Sequence, residues 1–176
     1  MKIFIEKLCE TDFERLFIFD LENRHFFETM VPSRGDDYYE YDNFKLKNEA
    51  LLEEQSRGIS YFYLIKDESD SILGRINLVD IDPVERVGSV GYRIGEVHTG
   101  QGIANHALKM LLEEVSELGV KHIKAMTTTD NVASQKVLEK NRFVLMAARE
   151  EDSNLNEENG FIYYSWSEED SLTKAD

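Results

Sequence analysis

Thr99-Gly100-Gln101-Gly102-Ile103-Ala104 is the stretch on which the fold turns. Immediately before it, Ser89-Val90-Gly91-Tyr92-Arg93-Ile94 reads as a strand. Immediately after it, Ile103, Ala104, Ala107, Leu108, Leu111, Leu112, Val115 and Leu118 recur in steps of three and four, which lays one apolar stripe along a helix. Strand, glycine turn and helix in that order leave unpaired backbone N–H groups at the helix start, where they can hold a phosphate. Taken alone, Gly100 and Gly102 could equally serve only a tight turn. The residues that follow decide the matter. Gly119 is a C-terminal cap, and Val120–Met126 reads as the next strand, so the unit is a right-handed parallel crossover. A shorter helix then runs from Asn131 towards Phe143.

With both segments in view, the chain resembles the GNAT superfamily of acetyl-CoA-dependent N-acetyltransferases. Within it, the chain is most similar to the RimJ/RimL type, the ribosomal-protein alanine N-acetyltransferases. That family binds the CoA pyrophosphate with an (Arg/Gln)-x-x-Gly-x-(Gly/Ala) turn, and Thr99 to Ala104 occupies its six positions. A second family signature is matched by Asn131, Ser134, Val137, Leu138, Glu139, Lys140 and Phe143. Thr99 replaces the usual Arg or Gln, and Arg142 replaces the usual Gly, which suggests that Asn141 takes the left-handed cap. The match spans residues 60 to 167 and is looser before residue 60. It implies an α/β fold with a mixed sheet, mostly antiparallel, containing one splayed parallel pair and flanked by helices.

Composition sets outer bounds. A chain of 176 residues, 41% of them hydrophobic, suits one soluble domain, expected over residues 1–167 with a polar tail at 168–176. No apolar run reaches membrane-spanning length, the start lacks a signal-peptide pattern, and Cys9 is the only cysteine, so a cytoplasmic setting is expected. His25, His98, His106 and His122 are scattered without ligand spacing, so no metal is expected. A net charge of −15 argues against nucleic acid and favours a cationic partner or simply solubility.

Along the rest of the chain, residues 2–8 form a first strand, and Thr11-Asp12-Phe13-Glu14 reads as a capping box. The helix it opens turns Phe13, Leu16, Phe17 and Leu21 inward. Residues 22–41 are hard to read, being crowded with aromatics around Pro32 and Gly35. A second helix over 42–56 buries Phe44, Leu51 and Leu52 and closes at Gly58. Strands follow at 60–66, 72–81 and 87–94, and a last pair at 144–149 and 161–166, joined by the acidic segment 150–159.

The resemblance also implies the chemistry. The pantetheine arm adds to the splayed strand through the backbones of Tyr92 and Ile94. Amides around Thr99, Gly100, Gln101, Gly102, Ile103, Ala104 and Asn105 meet the diphosphate. Amine attack on the acetyl thioester needs a neutral amine, a dipole for the oxyanion and a proton for the departing sulfur. Ser134 is the candidate proton donor, and Asn131, facing the same way, a ligand for the cofactor or a water. Against this, Asn131 or Asp130 could simply cap the helix, with Ser134 solvating its first turn. Backbone N–H groups near Tyr92 to Ile94 are the oxyanion donors.

No carboxylate lies within Gly88 to Tyr92 to act as general base, and Glu22 and Glu28 are only unplaced alternatives. An α-amine with a pKa of about 7.8 is roughly a tenth neutral at pH 7, whereas lysine is neutral to about 0.04%. The missing base therefore leans towards an α-amine acceptor. Acidic runs at Asp36–Asp42 and Glu150–Glu158 suggest steering of a basic protein N-terminus. The alternatives are a small-amine enzyme acting on polyamines or aminoglycoside-like compounds, and a CoA-binding module without catalysis. Monomer and homodimer both stay open.

Overall fold

The computed structural model describes residues 1–146 and 160–169. In chain order the elements are β1 (Ile3–Lys7), α1 (Phe13–Glu22), α2 (Arg24–Glu28), α3 (Tyr41–Ser56), β2 (Tyr61–Asp67), β3 (Ile72–Asp82), β4 (Val87–Ile94), α4 (Ile103–Glu114), β5 (His122–Thr128), α5 (Val132–Lys140), β6 (Val144–Leu145) and β7 (Phe161–Ser167). The strands form one seven-stranded sheet in the order β1-β2-β3-β4-β5-β7-β6. Every neighbouring pair is antiparallel except β4 with β5, which the α4 crossover makes parallel.

Alternation along the strands divides the core in two. Tyr63, Ile65, Ile76, Leu78, Val90 and Ile123 face α4 and meet its Ile103, Ala107, Leu108 and Leu111. Phe62 and Leu64 point the other way, to Phe13, Leu16 and Phe19 of α1 and Phe44 of α3. Leu108 and Leu111 are completely buried, each worth ~1.5–3 kcal/mol of hydrophobic stabilisation. Gly74 lets β3 and β4 close tightly, since a Cβ there would lie 2.4 Å from the Arg93 carbonyl oxygen.

Several local expectations change. The capping box is built by Cys9 and Asp12, not Thr11 and Glu14: a 3-10 turn, Glu10–Asp12, precedes α1, and the Asp12 carboxylate accepts the Cys9 N–H. Leu21 is exposed at 47%, because α1 ends at Glu22 and turns directly into α2. The aromatic stretch 22–41 contains α2 and a second 3-10 turn, Asp36–Tyr39, which bury Phe27 and Tyr38. At the end of α5, Asn141 keeps φ −94° and Arg142 takes the left-handed position at φ +66°. The Arg142 N–H reaches Glu139 O at 3.0 Å and the Phe143 N–H reaches Leu138 O at 3.1 Å, a Schellman closure with arginine where glycine is usual. Asn141 is held out of that role because its amide donates to Asn105 Oδ1 at 3.0 Å and to Val137 O at 2.8 Å. The strand expected over 144–149 is observed as Val144–Leu145, and residues 147–149 with the acidic segment 150–159 lie outside the described residues.

Candidate active site

The parallel pair parts halfway along. β4 and β5 are in register from Val87 with His122 to Val90 with Ala125 and no further. Yet β4 stays paired with β3 as far as Ile94, and β5 with β7 as far as Thr128. Beyond Val90 the two strands diverge, and a wedge opens between them.

Backbone direction in that wedge follows from one hydrogen bond. The Gly95 N–H donates to Leu73 O at 2.9 Å, so the next pair inward, Gly74 with Ile94, is a non-hydrogen-bonded pair. Ile94, and by alternation Tyr92, therefore aim their N–H and C=O groups away from β3 and into the wedge. An extended ligand carrying amides can bond to such an edge as another strand would.

At the far end of the wedge, Gly100 (φ +72°) and Gly102 (φ +78°) are both left-handed. A Cβ on either would meet nothing within 4 Å, so the space in front of the loop is open. Gly102 occupies the position before α4 without any side-chain cap, and its carbonyl accepts the His106 N–H at 3.1 Å. The N–H groups of Ile103, Ala104 and Asn105 have no carbonyl one turn back and point ahead of the helix, where its dipole is positive. Thr99 and Gln101 fold back on the loop: Thr99 Oγ1 donates to Glu96 O at 2.8 Å and Gln101 Nε2 to Val97 O at 3.0 Å. Both side chains brace the cradle, leaving the backbone to meet an anion. The Asn105 side chain is likewise engaged, with the Asn141 amide.

Across the wedge stands α5. Asn131 Oδ1 accepts the Ser134 N–H at 3.0 Å, so Asn131 is the helix cap. The Ser134 hydroxyl lies 2.9 Å from the Tyr92 hydroxyl, which also donates to the Ser134 carbonyl at 3.3 Å. Burial pushes the Tyr92 phenol up to about 12, against the opposing pull of the Ser134 hydrogen bond. The phenol is thus a proton-bearing donor at neutral pH. Reading by sequence assigned Tyr92 only through its backbone. Its hydroxyl could have been suspected from strand alternation, which puts it on the helical face that α5 covers.

Among the described residues, no hydrogen bond or ion pair joins Glu22 or Glu28 to β4. Glu22 is exposed at the end of α1. Glu28 accepts from Ser33 at 2.6 Å and Arg24 at 3.1 Å, and those two bonds hold its pKa below the ordinary glutamate value. A carboxylate so held is a poor base. Among the described residues, no group of three or more His, Cys, Asp or Glu converges to hold a metal, and no helix is long and apolar enough to cross a membrane.

An open strand edge, a glycine turn with forward-facing N–H groups at a helix start and a partly buried hydroxyl pair suit an acyl-CoA-dependent transferase. The profile of the acetyltransferase (GNAT) domain matches residues 2–144. The chain belongs to that family and is a GNAT-type N-acetyltransferase. It is 29% identical over 144 residues to the probable N-acetyltransferase YjcK of Bacillus subtilis, covering 80% of each chain. It is also 29% identical over 102 residues to the ribosomal-protein-serine acetyltransferase of Escherichia coli, covering 57% of this chain and 56% of that one. Among solved structures, the ribosomal-protein-S5-alanine acetyltransferase of Vibrio fischeri superposes with a TM-score of 0.84 at 20% identity, covering 97% of this chain and 95% of that one.

Proposed function

We propose that the protein transfers acetyl from acetyl-CoA to the N-terminal α-amine of a protein of the ribosomal type. The observation that carries this is the unpaired β4 edge at Tyr92 and Ile94, lying between the open glycine cradle and the Tyr92–Ser134 pair. Acetyl-CoA, the family's co-substrate, supplies the activated acetyl group as a thioester. Backbone groups of Tyr92 and Ile94 bind the pantetheine amides, and the amides from Gly100 to Asn105 hold the diphosphate. The same strand aims N–H dipoles at the acetyl oxygen as charge builds on it. As the N–C bond forms and the C–S bond breaks, Ser134, held in place by the Tyr92 hydroxyl, gives its proton to the departing sulfur and regains one, through solvent, from the nitrogen that sheds it. Asn131 acts by fixing the start of α5 and hence Ser134.

An α-amine acceptor is supported by the lack of a carboxylate on β4 and by the names of the ribosomal-protein relatives. Steering of basic residues is supported by Asp36, Asp37, Glu40 and Asp42, all exposed, although Arg24 pairs with Asp36. The deciding experiment is mass-spectrometric detection of acetylation on a panel of N-terminal peptides, spermidine and aminoglycosides. Modification confined to peptide α-amines is the expected result. Acetylation of the small amines alone would overturn the acceptor assignment, and no product with any amine would overturn the activity. Rates on basic peptides are expected to fall with added salt; salt-independent rates would remove the steering role.

A further inference from the structure

The face of the sheet opposite α4 holds a group of charges that none of these steps uses. Arg75 on β3 and Arg93 on β4 are cross-strand partners. Asp20 of α1, 1% exposed, takes three donors on Oδ2: Arg34 at 2.9 Å, the Tyr38 hydroxyl at 2.6 Å and Arg75 at 3.0 Å. Asp20 Oδ1 is buried with no hydrogen-bond partner among the described residues. Burial first, then the Asp20 charge, lifts the Tyr38 phenol to about 12, so it stays neutral and adds no second anion. Two guanidinium groups and a phenol thus share one carboxylate oxygen, with a third guanidinium, that of Arg93, close by.

Arg93 is the one left over. Among the described residues no hydrogen bond or ion pair reaches its guanidinium, whose ring contact is Phe27, 5.4 Å from the guanidinium carbon to the centroid. Burial, reinforced by repulsion from Arg34 and Arg75 and only partly offset by the attraction of Asp20, pulls its pKa down to about 10. A cluster serving only to pin α1 to the sheet would match its charges, because an uncompensated buried charge is costly. Here the orphan cation and the orphan oxygen of Asp20 do not meet. Access is available on the same face, where Gly91, two residues earlier, is exposed and a Cβ would touch nothing within 4 Å. Arg93 also sits between Tyr92 and Ile94 on β4, the strand whose edge faces the wedge, and its side chain lies on the face of the sheet opposite α4, against Phe27.

The geometry points to Arg93 as the carboxylate-binding residue for the acceptor, which is a peptide bearing an acidic side chain next to its reactive amine. This rests on the N-terminal amine assignment and narrows it. A planar guanidinium grips a carboxylate through two parallel N–H bonds, so lysine is no substitute. The excess of positive charge also favours the neutral form of an incoming amine, the form that attacks.

The test uses two peptides identical except for Glu or Gln at the second position, read as kcat/KM and, separately, as Kd by calorimetry on CoA-loaded protein. Wild type is expected to favour the Glu peptide by about tenfold or more, the worth of a charge-assisted hydrogen bond. In Arg93→Gln the ratio falls to near one, Arg93→Lys recovers only part of it, and the thermal midpoint of Arg93→Gln does not drop. Equal acetylation and equal binding of both peptides by wild type would overturn the carboxylate site while leaving the amine assignment standing. Preferential binding of the Glu peptide without any acetylation would do the reverse. A ratio unaltered by Arg93→Gln, or no acetylation together with no preference in binding, also overturns it.

Discussion

Removing the Tyr92 hydroxyl with Tyr92→Phe isolates one oxygen at the centre of the site. That oxygen lies 2.9 Å from Ser134 Oγ and 3.3 Å from Ser134 O, in a partly buried position. As a neutral hydrogen bond it contributes ~1 kcal/mol to stability, a fall of about 2–4 °C in Tm for a domain of this size. The catalytic effect is larger and of a different kind. If Ser134 is the acid, Ser134→Ala lowers kcat by ~10²-fold or more, the usual contribution of a positioned acid. Tyr92→Phe acts only by releasing the Ser134 hydroxyl from its orientation, so its loss is smaller, about tenfold. The decisive quantity is the coupling. In the Ser134→Ala background, Tyr92→Phe is expected to cost no further activity, because nothing remains to orient. The assay is release of CoA thiol at saturating acetyl-CoA for the four proteins of the cycle, with Kd for CoA measured alongside. Fully additive losses, or a Tyr92→Phe enzyme of wild-type kcat, would refute the relay through Ser134.

Three further outcomes follow from other parts of the molecule. Gly102→Ala puts a methyl group into open space at a left-handed residue, so it costs ~1 kcal/mol of stability; KM for acetyl-CoA is nevertheless expected to rise at least about tenfold as the cradle closes, and an unchanged KM would show that the diphosphate binds elsewhere. Arg142→Gly relieves a left-handed arginine and is expected to raise stability by ~1 kcal/mol, read by urea denaturation at constant m-value. Asp12 is held below the ordinary aspartate pKa: burial would raise it, but hydrogen bonds from Cys9 and Lys66 outweigh that. Its contribution is complete above the unfolded pKa of about 3.9 and disappears as pH falls through the lower folded value, so Asp12→Asn should cost ~2 kcal/mol at pH 7 and progressively less below about pH 4 in denaturation series.

The parts of this protein that were legible in the sequence are those fixed by neighbours in the chain. The α4 stripe, the two glycines before it and the strands on either side follow from local period and backbone freedom, and they sufficed for the crossover and the cradle. What escaped reading depends on distant partners. Tyr92 and Ser134 are 42 residues apart, and only the parting of β4 from β5 lets a strand side chain reach α5. Asp20 looks like an ordinary polar residue on a surface helix, yet Arg34, Tyr38 and Arg75 converge on it from three other segments. The same contacts order the aromatic stretch 22–41, whose local pattern specifies neither helix nor strand. Arg142 defeated a local rule for a similar reason: Asn141 was the better left-handed residue, but its amide is engaged with Asn105 on another helix.

Calorimetric titration of CoA into the purified protein tests the account at its root. Saturable binding of one CoA per chain is expected, weakened by Gly102→Ala and left nearly intact by Ser134→Ala. No heat of binding, or binding indifferent to Gly102→Ala, would contradict it.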